Sequence, residues 1–116
     1  MFFKDLELMR HQRDEILPRL FPELLPSTSV ISNIELNHVS AGKDKGMEAL
    51  CAHLGIAMDN TMALGDGTND TCMIKAAGLG VAMANADEQV KAAADIITLS
   101  NNDSGVARAI IDCVLR

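Results

Sequence analysis

The sequence predicts an α/β fold, with parallel strands covered by helices, on three observations. From Gly42 onward, short apolar runs of strand type alternate with helical patterns, the arrangement that builds a parallel sheet with helices on its faces. Hydrophobic residues make up 48% of the 116, which allows a packed core and argues against wholesale disorder. Composition is also uneven: all three Pro and all three Phe lie within the first 26 residues, and all eight Gly lie from Gly42 onward. That shift predicts a seam between residues 30 and 42, separating a first segment, 1–39, from a second, 40–116.

The first segment begins as a helix. Leu6, Met9, His11, Ile16, Leu17 and Leu20 form a rough apolar face opposite Arg10, Arg13, Asp14 and Glu15. Pro18 is expected to end or kink it, and Pro22 and Pro26 argue against continuation. Ser29–Ser32 and Ile34–Val39 alternate and carry β-branched residues, so two short strands are expected around Asn33.

The second segment opens with a helix over Lys45–Leu54, where Met47, Leu50, Cys51 and Leu54 fall at helical spacing and Gly55 stops the chain. Thr61–Leu64 is a short buried strand. Asn69–Ala77 is a helix with Met73, Ile74 and Ala77 inward, ended by Gly78. Gly80–Met83 is a strand, Ala86–Ala94 an Ala-rich helix and Ile96–Leu99 a third strand. Ser104 or Asp103 is expected to cap a last helix through Val106, Ile110, Ile111 and Val114.

Several function classes are disfavoured by composition. A net charge of −6 argues against nucleic-acid binding and against electrostatic adhesion to anionic membranes. Cys51, Cys72 and Cys113 are far apart with no CxxC, so neither a disulfide framework nor a zinc site is expected, and unpaired thiols fit a cytoplasmic location. There is no apolar run of ~18 residues to span a bilayer. MFFKDLELMR carries charge from its fourth residue, so no secretory signal is expected.

Ligands of parallel α/β sheets gather at the carboxyl ends of the strands. That rule points to Leu64-Gly65-Asp66-Gly67-Thr68-Asn69-Asp70, which leaves a strand and opens a helix. Its carboxylates suit hard Mg²⁺, which takes a few carboxylate oxygens plus water and phosphate. Backbone N–H groups at a helix start attract anions. As turn formers and an N-cap, Asp66 and Asn69 would also serve structure alone. Other motifs fit worse. An EF-hand starting at Asp66 would need Gly and Glu where Thr71 and Ala77 stand. A P-loop ending is absent, and Gly78-Leu79-Gly80 precedes a strand where a dinucleotide fingerprint would follow one.

Ala41-Gly42-Lys43-Asp44-Lys45-Gly46, GDGTND, GLGVAMANADEQVKAAADIIT and SNNDSGVARAI, taken in order, resemble the C-terminal half of the haloacid-dehalogenase-like (HAD) hydrolases. Within that superfamily they are most similar to Cof-type sugar-phosphate phosphatases, over about residues 29–116. The resemblance implies a partial Rossmann-like core over 40–116 and the tail of an inserted α/β cap over 1–39. It implies Mg²⁺-dependent hydrolysis of a small phosphorylated metabolite through an aspartyl-phosphate. By position, Lys45 matches the family lysine that holds the charges of nucleophile and phosphate together, with Lys43 ranked lower. Asp66 matches the metal ligand, Asp70 the second acid at the metal, and Asn69 the contact to phosphate or metal-bound water. Asn85 falls on a family-typical loop and equally suits a helix cap.

The reaction also needs a nucleophilic Asp followed two residues later by an acid/base Asp. No Asp-x-Asp occurs in this sequence, and Leu64 stands where the GDGT copy would need the nucleophile. The expectation is therefore the C-terminal portion of a longer phosphatase, starting inside its cap and inactive alone. Lacking the nucleophile strand, Thr61–Leu64 would be a bare edge, and a homodimer through that edge is expected. Two alternatives stay open: a P-type ATPase phosphorylation-domain-like fragment, whose motif also contains GDGxND, and a non-catalytic interaction or regulatory module.

Overall fold

A computed structural model of the chain describes residues 3–28 and 32–115. They divide into two compact units, Met1–Gly42 and Lys43–Arg116.

In the first unit Asp5 caps a helix, its Oδ1 accepting from the N–H groups of Glu7 and Leu8 at 3.0 Å. The helix runs as α1 (Leu6–His11), a π-helical stretch (Gln12–Ile16) and α2 (Leu17–Leu20). It passes through Pro18. A proline ring inside a helix collides with the carbonyl four residues back. Here the turn before it is widened, with the Leu17 N–H donating to the Gln12 carbonyl five residues back. Met9 and Leu17 face inward with Ile34, and Phe3 and Leu6 pack against them. His11 and Leu20, expected on the apolar face, are exposed.

An antiparallel pair follows, β1 (Leu24–Ser27) and β2 (Glu35–His38), registered Leu24 to His38 and Ser27 to Glu35. The strand expected at 29–32 lies largely outside the described residues, and Ser32 is in a turn. The strand before it instead contains Pro26. The Val39 N–H donates to Glu23 O at 2.9 Å. In an antiparallel ladder hydrogen-bonded pairs alternate, so Pro26 opposite Leu36 falls on a pair that exchanges no bonds, and its missing donor costs the ladder nothing.

The second unit is a three-stranded parallel sheet in the order β3 (Met62–Gly65), β4 (Leu79–Ala82), β5 (Ile96–Ile97). Four helices accompany it: α3 (Lys43–Leu54), α4 (Thr71–Ala76), α5 (Glu88–Lys91) and α6 (Gly105–Cys113). Ile74, Ala82, Met83, Ala86 and Val90 form the core. Gly55 ends α3 with a φ of +68°, in the left-handed region.

Two helical faces differ from expectation. On α3 only Cys51 is buried, while Leu50 and Leu54 are each 57% exposed. On α6 Gly105 and Ala109 are buried, and Val106, Ile110 and Ile111 are exposed, as is Val114 just past its end. A Cβ on Gly105 would sit 2.0 Å from the Leu99 carbonyl oxygen, so the helix start has no room for a larger side chain. Ser104 stands at the N-cap position in a left-handed conformation but makes no side-chain cap bond. Asp103 instead accepts from the Ser100 hydroxyl. Among the described residues no helix is long and apolar enough to cross a membrane.

Candidate active site

The three strands run in one direction, so their carboxyl ends share one edge of the sheet. The loops leaving them are joined there by backbone bonds. Met83 N–H donates to Gly65 O at 3.0 Å, Asp87 N–H to Asp66 O at 3.3 Å and Ala84 N–H to Leu99 O at 3.3 Å.

Thr68–Asp70 forms a 3-10 turn that delivers Asp70, buried at 8% exposure, back under the loop. One oxygen, Oδ2, accepts from the N–H groups of Asp66 and Gly67, each at 3.3 Å. The other, Oδ1, pairs with the ammonium of Lys43, the first residue of α3. Gly65 makes this possible: a Cβ there would sit 2.4 Å from the Asp70 Cβ.

Asp66 is exposed. Its Oδ2 accepts from Asn85 Nδ2 at 3.2 Å, and the Asn85 Oδ1 accepts from the Asn101 N–H at 2.9 Å. Asn69 is half-buried, its Oδ1 lying where a Cβ on Gly67 would come within 2.6 Å. A cleft of about 290 Å³ adjoins the loop, lined by Leu64, Gly65, Asp66, Asp70, Met83, Asn101 and Val106.

The structure therefore brings together Lys43, Asp66 and Asp70, and leaves Lys45 out. Lys45 Nζ bonds both Glu48 carboxylate oxygens at 2.9 Å. That hydrogen bond and the Glu48 charge raise its pKa above the usual lysine value. Helix geometry is the reason: residues two apart are turned by roughly 200°, so Lys43 and Lys45 cannot serve the same face. Lys43 stands four residues before the half-buried Met47 and eight before the buried Cys51 of α3. That spacing was the available signal. Asn85 reaches Asp66 across 19 residues of chain, and no local pattern marks that contact.

Both Asp70 oxygens are engaged by Lys43 and the loop amides, whereas Asp66 Oδ1 accepts no protein hydrogen bond among the described residues. Among the described residues no group of three His, Cys, Asp or Glu forms a cation cage. One exposed carboxylate beside a cleft fits Mg²⁺, which keeps most of its water or takes phosphate oxygens.

Comparison with known proteins identifies the family. The family model of haloacid dehalogenase-like hydrolases matches residues 1–110. The chain belongs to that family. It is 46% identical over 105 residues to a 5-amino-6-(5-phospho-D-ribitylamino)uracil phosphatase of Bacillus subtilis, covering 89% of this chain and 42% of that protein. Among solved structures, a haloacid dehalogenase-like hydrolase from B. subtilis superposes with a TM-score of 0.82 at 36% identity, over 98% of this chain and 38% of that one. A HAD subclass IIB sugar phosphatase superposes with a TM-score of 0.81 at 33% identity, over 89% of this chain and 39% of that one. The chain thus spans about two fifths of the length of these relatives. Together these likenesses bear out the α/β HAD-like fold and the Cof-type resemblance.

Proposed function

We propose that this chain is the metal- and lysine-bearing part of a phosphatase acting on small phosphate monoesters of the sugar-phosphate type, by way of an aspartyl-phosphate. The observation that carries the reading is the Lys43–Asp70 pair beside the open Asp66 carboxylate at the carboxyl ends of parallel strands. Two of the relatives reported above are phosphatases by name. On this reading residues 1–39 belong to a cap and 40–116 to the core.

Lys43 takes the part expected of Lys45. Its ammonium, held by Asp70, offsets the charge of the phosphate and of the attacking carboxylate, an electrostatic contribution prepared before substrate arrives. Asp66 would hold Mg²⁺, and Asn69 would donate to a phosphate oxygen. Mg²⁺, when bound, supplies charge neutralisation at the phosphoryl oxygens. Asp70 acts through Lys43 and through the two loop amides that it fixes. No Asp-x-Asp is present, so the nucleophile and the acid/base group must come from residues other than these.

A chimera tests this. This chain replaces the matching residues of the B. subtilis relative, and turnover of p-nitrophenyl phosphate is followed with and without Mg²⁺. The expected result is Mg²⁺-dependent turnover that Asp66→Ala abolishes, with none from the unfused chain. A folded chimera without turnover, or one indifferent to Asp66→Ala, would count against the reading.

A further inference from the structure

The geometry points to Asn85 as a positioning residue for Asp66: its carboxamide, itself oriented by the backbone N–H of Asn101, holds one carboxylate oxygen and leaves the other for a divalent cation. This rests on the reading of Asp66 as the Mg²⁺ ligand and assigns a role to a residue outside the loop that carries it.

Three elements meet at this carboxamide. Asp66 follows β3, Asn85 follows β4 and Asn101 opens the 3-10 turn after β5. A backbone N–H only donates and a carboxylate only accepts. The Asn101 N–H at 2.9 Å therefore demands the oxygen end of Asn85, and Asp66 Oδ2 at 3.2 Å demands the NH₂ end. Both partners ask for the same orientation, so the amide is fixed and cannot flip without losing two bonds. Asp66 is otherwise exposed, and an exposed Asp side chain samples several rotamers. Holding Oδ2 removes that freedom before the cation arrives. Hydrogen-bonded partners that orient a metal ligand in this way commonly change affinity by about 10- to 100-fold when removed.

An ordinary helix cap would not need this arrangement. The nearest helix, α5, begins at Glu88, and its N-cap position is Asp87. Neither side-chain bond of Asn85 goes to that helix.

The test uses the full chain and Mg²⁺, with amide chemical shifts as the affinity readout. Four proteins are titrated: wild type, Asp66→Ala, Asn85→Ala and Asn101→Pro. The last removes the N–H that orients Asn85, together with the Asn101 side chain at the cleft. Ser100, at φ −71° and ψ 165°, already has the extended conformation preferred before proline. Asn101 is the first residue of its turn, where proline is tolerated. The expected result is loss of binding in Asp66→Ala and about tenfold weaker binding in both Asn85→Ala and Asn101→Pro. In metal-free Asn101→Pro the Asn85 carboxamide protons should also collapse toward solvent-averaged shifts, a readout that needs no cation. Wild-type affinity in Asn85→Ala, with Asp66→Ala still abolishing binding, would overturn the role of Asn85 alone. Binding that survives Asp66→Ala would instead overturn the assignment of Asp66. If Asn101→Pro binds like wild type while Asn85→Ala does not, orientation by Asn101 is refuted.

Discussion

Replacing Asp70 separates its two jobs. Asp70→Ala removes the acceptor of the Asp66 and Gly67 amides and the partner of Lys43. The two amide bonds are long at 3.3 Å, so each sits at the low end for hydrogen bonds to a charged group, about 1.5 kcal/mol. The Lys43 side chain is 51% exposed, which holds the ion pair below about 1 kcal/mol. The Ala variant is therefore expected to lose about 3 to 4 kcal/mol. Asp70→Asn keeps an oxygen for the amides. It loses about 0.5 kcal/mol per bond on neutralisation, and the ion pair, for about 1 to 2 kcal/mol in all. Urea unfolding followed by circular dichroism reads the difference. Hydrogen exchange at the Asp66 and Gly67 amides reads the bonds themselves, with about tenfold faster exchange for each 1.4 kcal/mol lost locally. Equal destabilisation by Ala and Asn, or wild-type protection of both amides in the Ala variant, would refute this division.

Gly65→Ala should destabilise by about 1 to 3 kcal/mol, because its Cβ at 2.4 Å from the Asp70 Cβ must push the side chain or the loop aside; unchanged urea stability would contradict the close approach. Lys43→Ala should abolish turnover of the chimera, while Lys45→Ala, which breaks the exposed pair with Glu48 and a longer one with Asp44, should leave kcat within about twofold and stability within about 0.5 kcal/mol. The reverse order of effects would restore Lys45 to the site. The outer edge of β3 pairs with no strand among the described residues, and self-association through it is expected. Size-exclusion chromatography with light scattering should show mass rising with concentration, and a clean monomer throughout would count against it.

Much of the second unit was legible because short apolar runs alternate with helical patterns, and parallel strands buried on both faces read that way. GDGTND was legible for a similar reason: its position between a strand and a helix already places it at the sheet's carboxyl edge. Lys45 matches the family lysine by position, yet the turn of α3 carries it away from Asp70 and brings Lys43 there. Leu50 and Leu54 fit an apolar stripe by spacing alone, but spacing does not say how far another element covers it. Pro26 concealed β1, since a proline argues against a strand until the pairing shows that its nitrogen faces no partner. Asn85 was the least accessible, because its contacts depend on how the ends of three strands are brought together.

The central claim is that Asp66, beside a Lys43–Asp70 pair, is the cation-binding carboxylate of a phosphate-hydrolysing site. Paramagnetic broadening of amide resonances by Mn²⁺, used in place of Mg²⁺, tests it most directly. Wild type should show broadening centred on Asp66, Gly67 and Asn69. Asp66→Ala should lose that broadening while keeping the protection of the Gly67 amide that reports Asp70. Broadening that persists there without the Asp66 carboxylate, or that centres on Asp44 and Glu48 beside Lys45, would contradict the account.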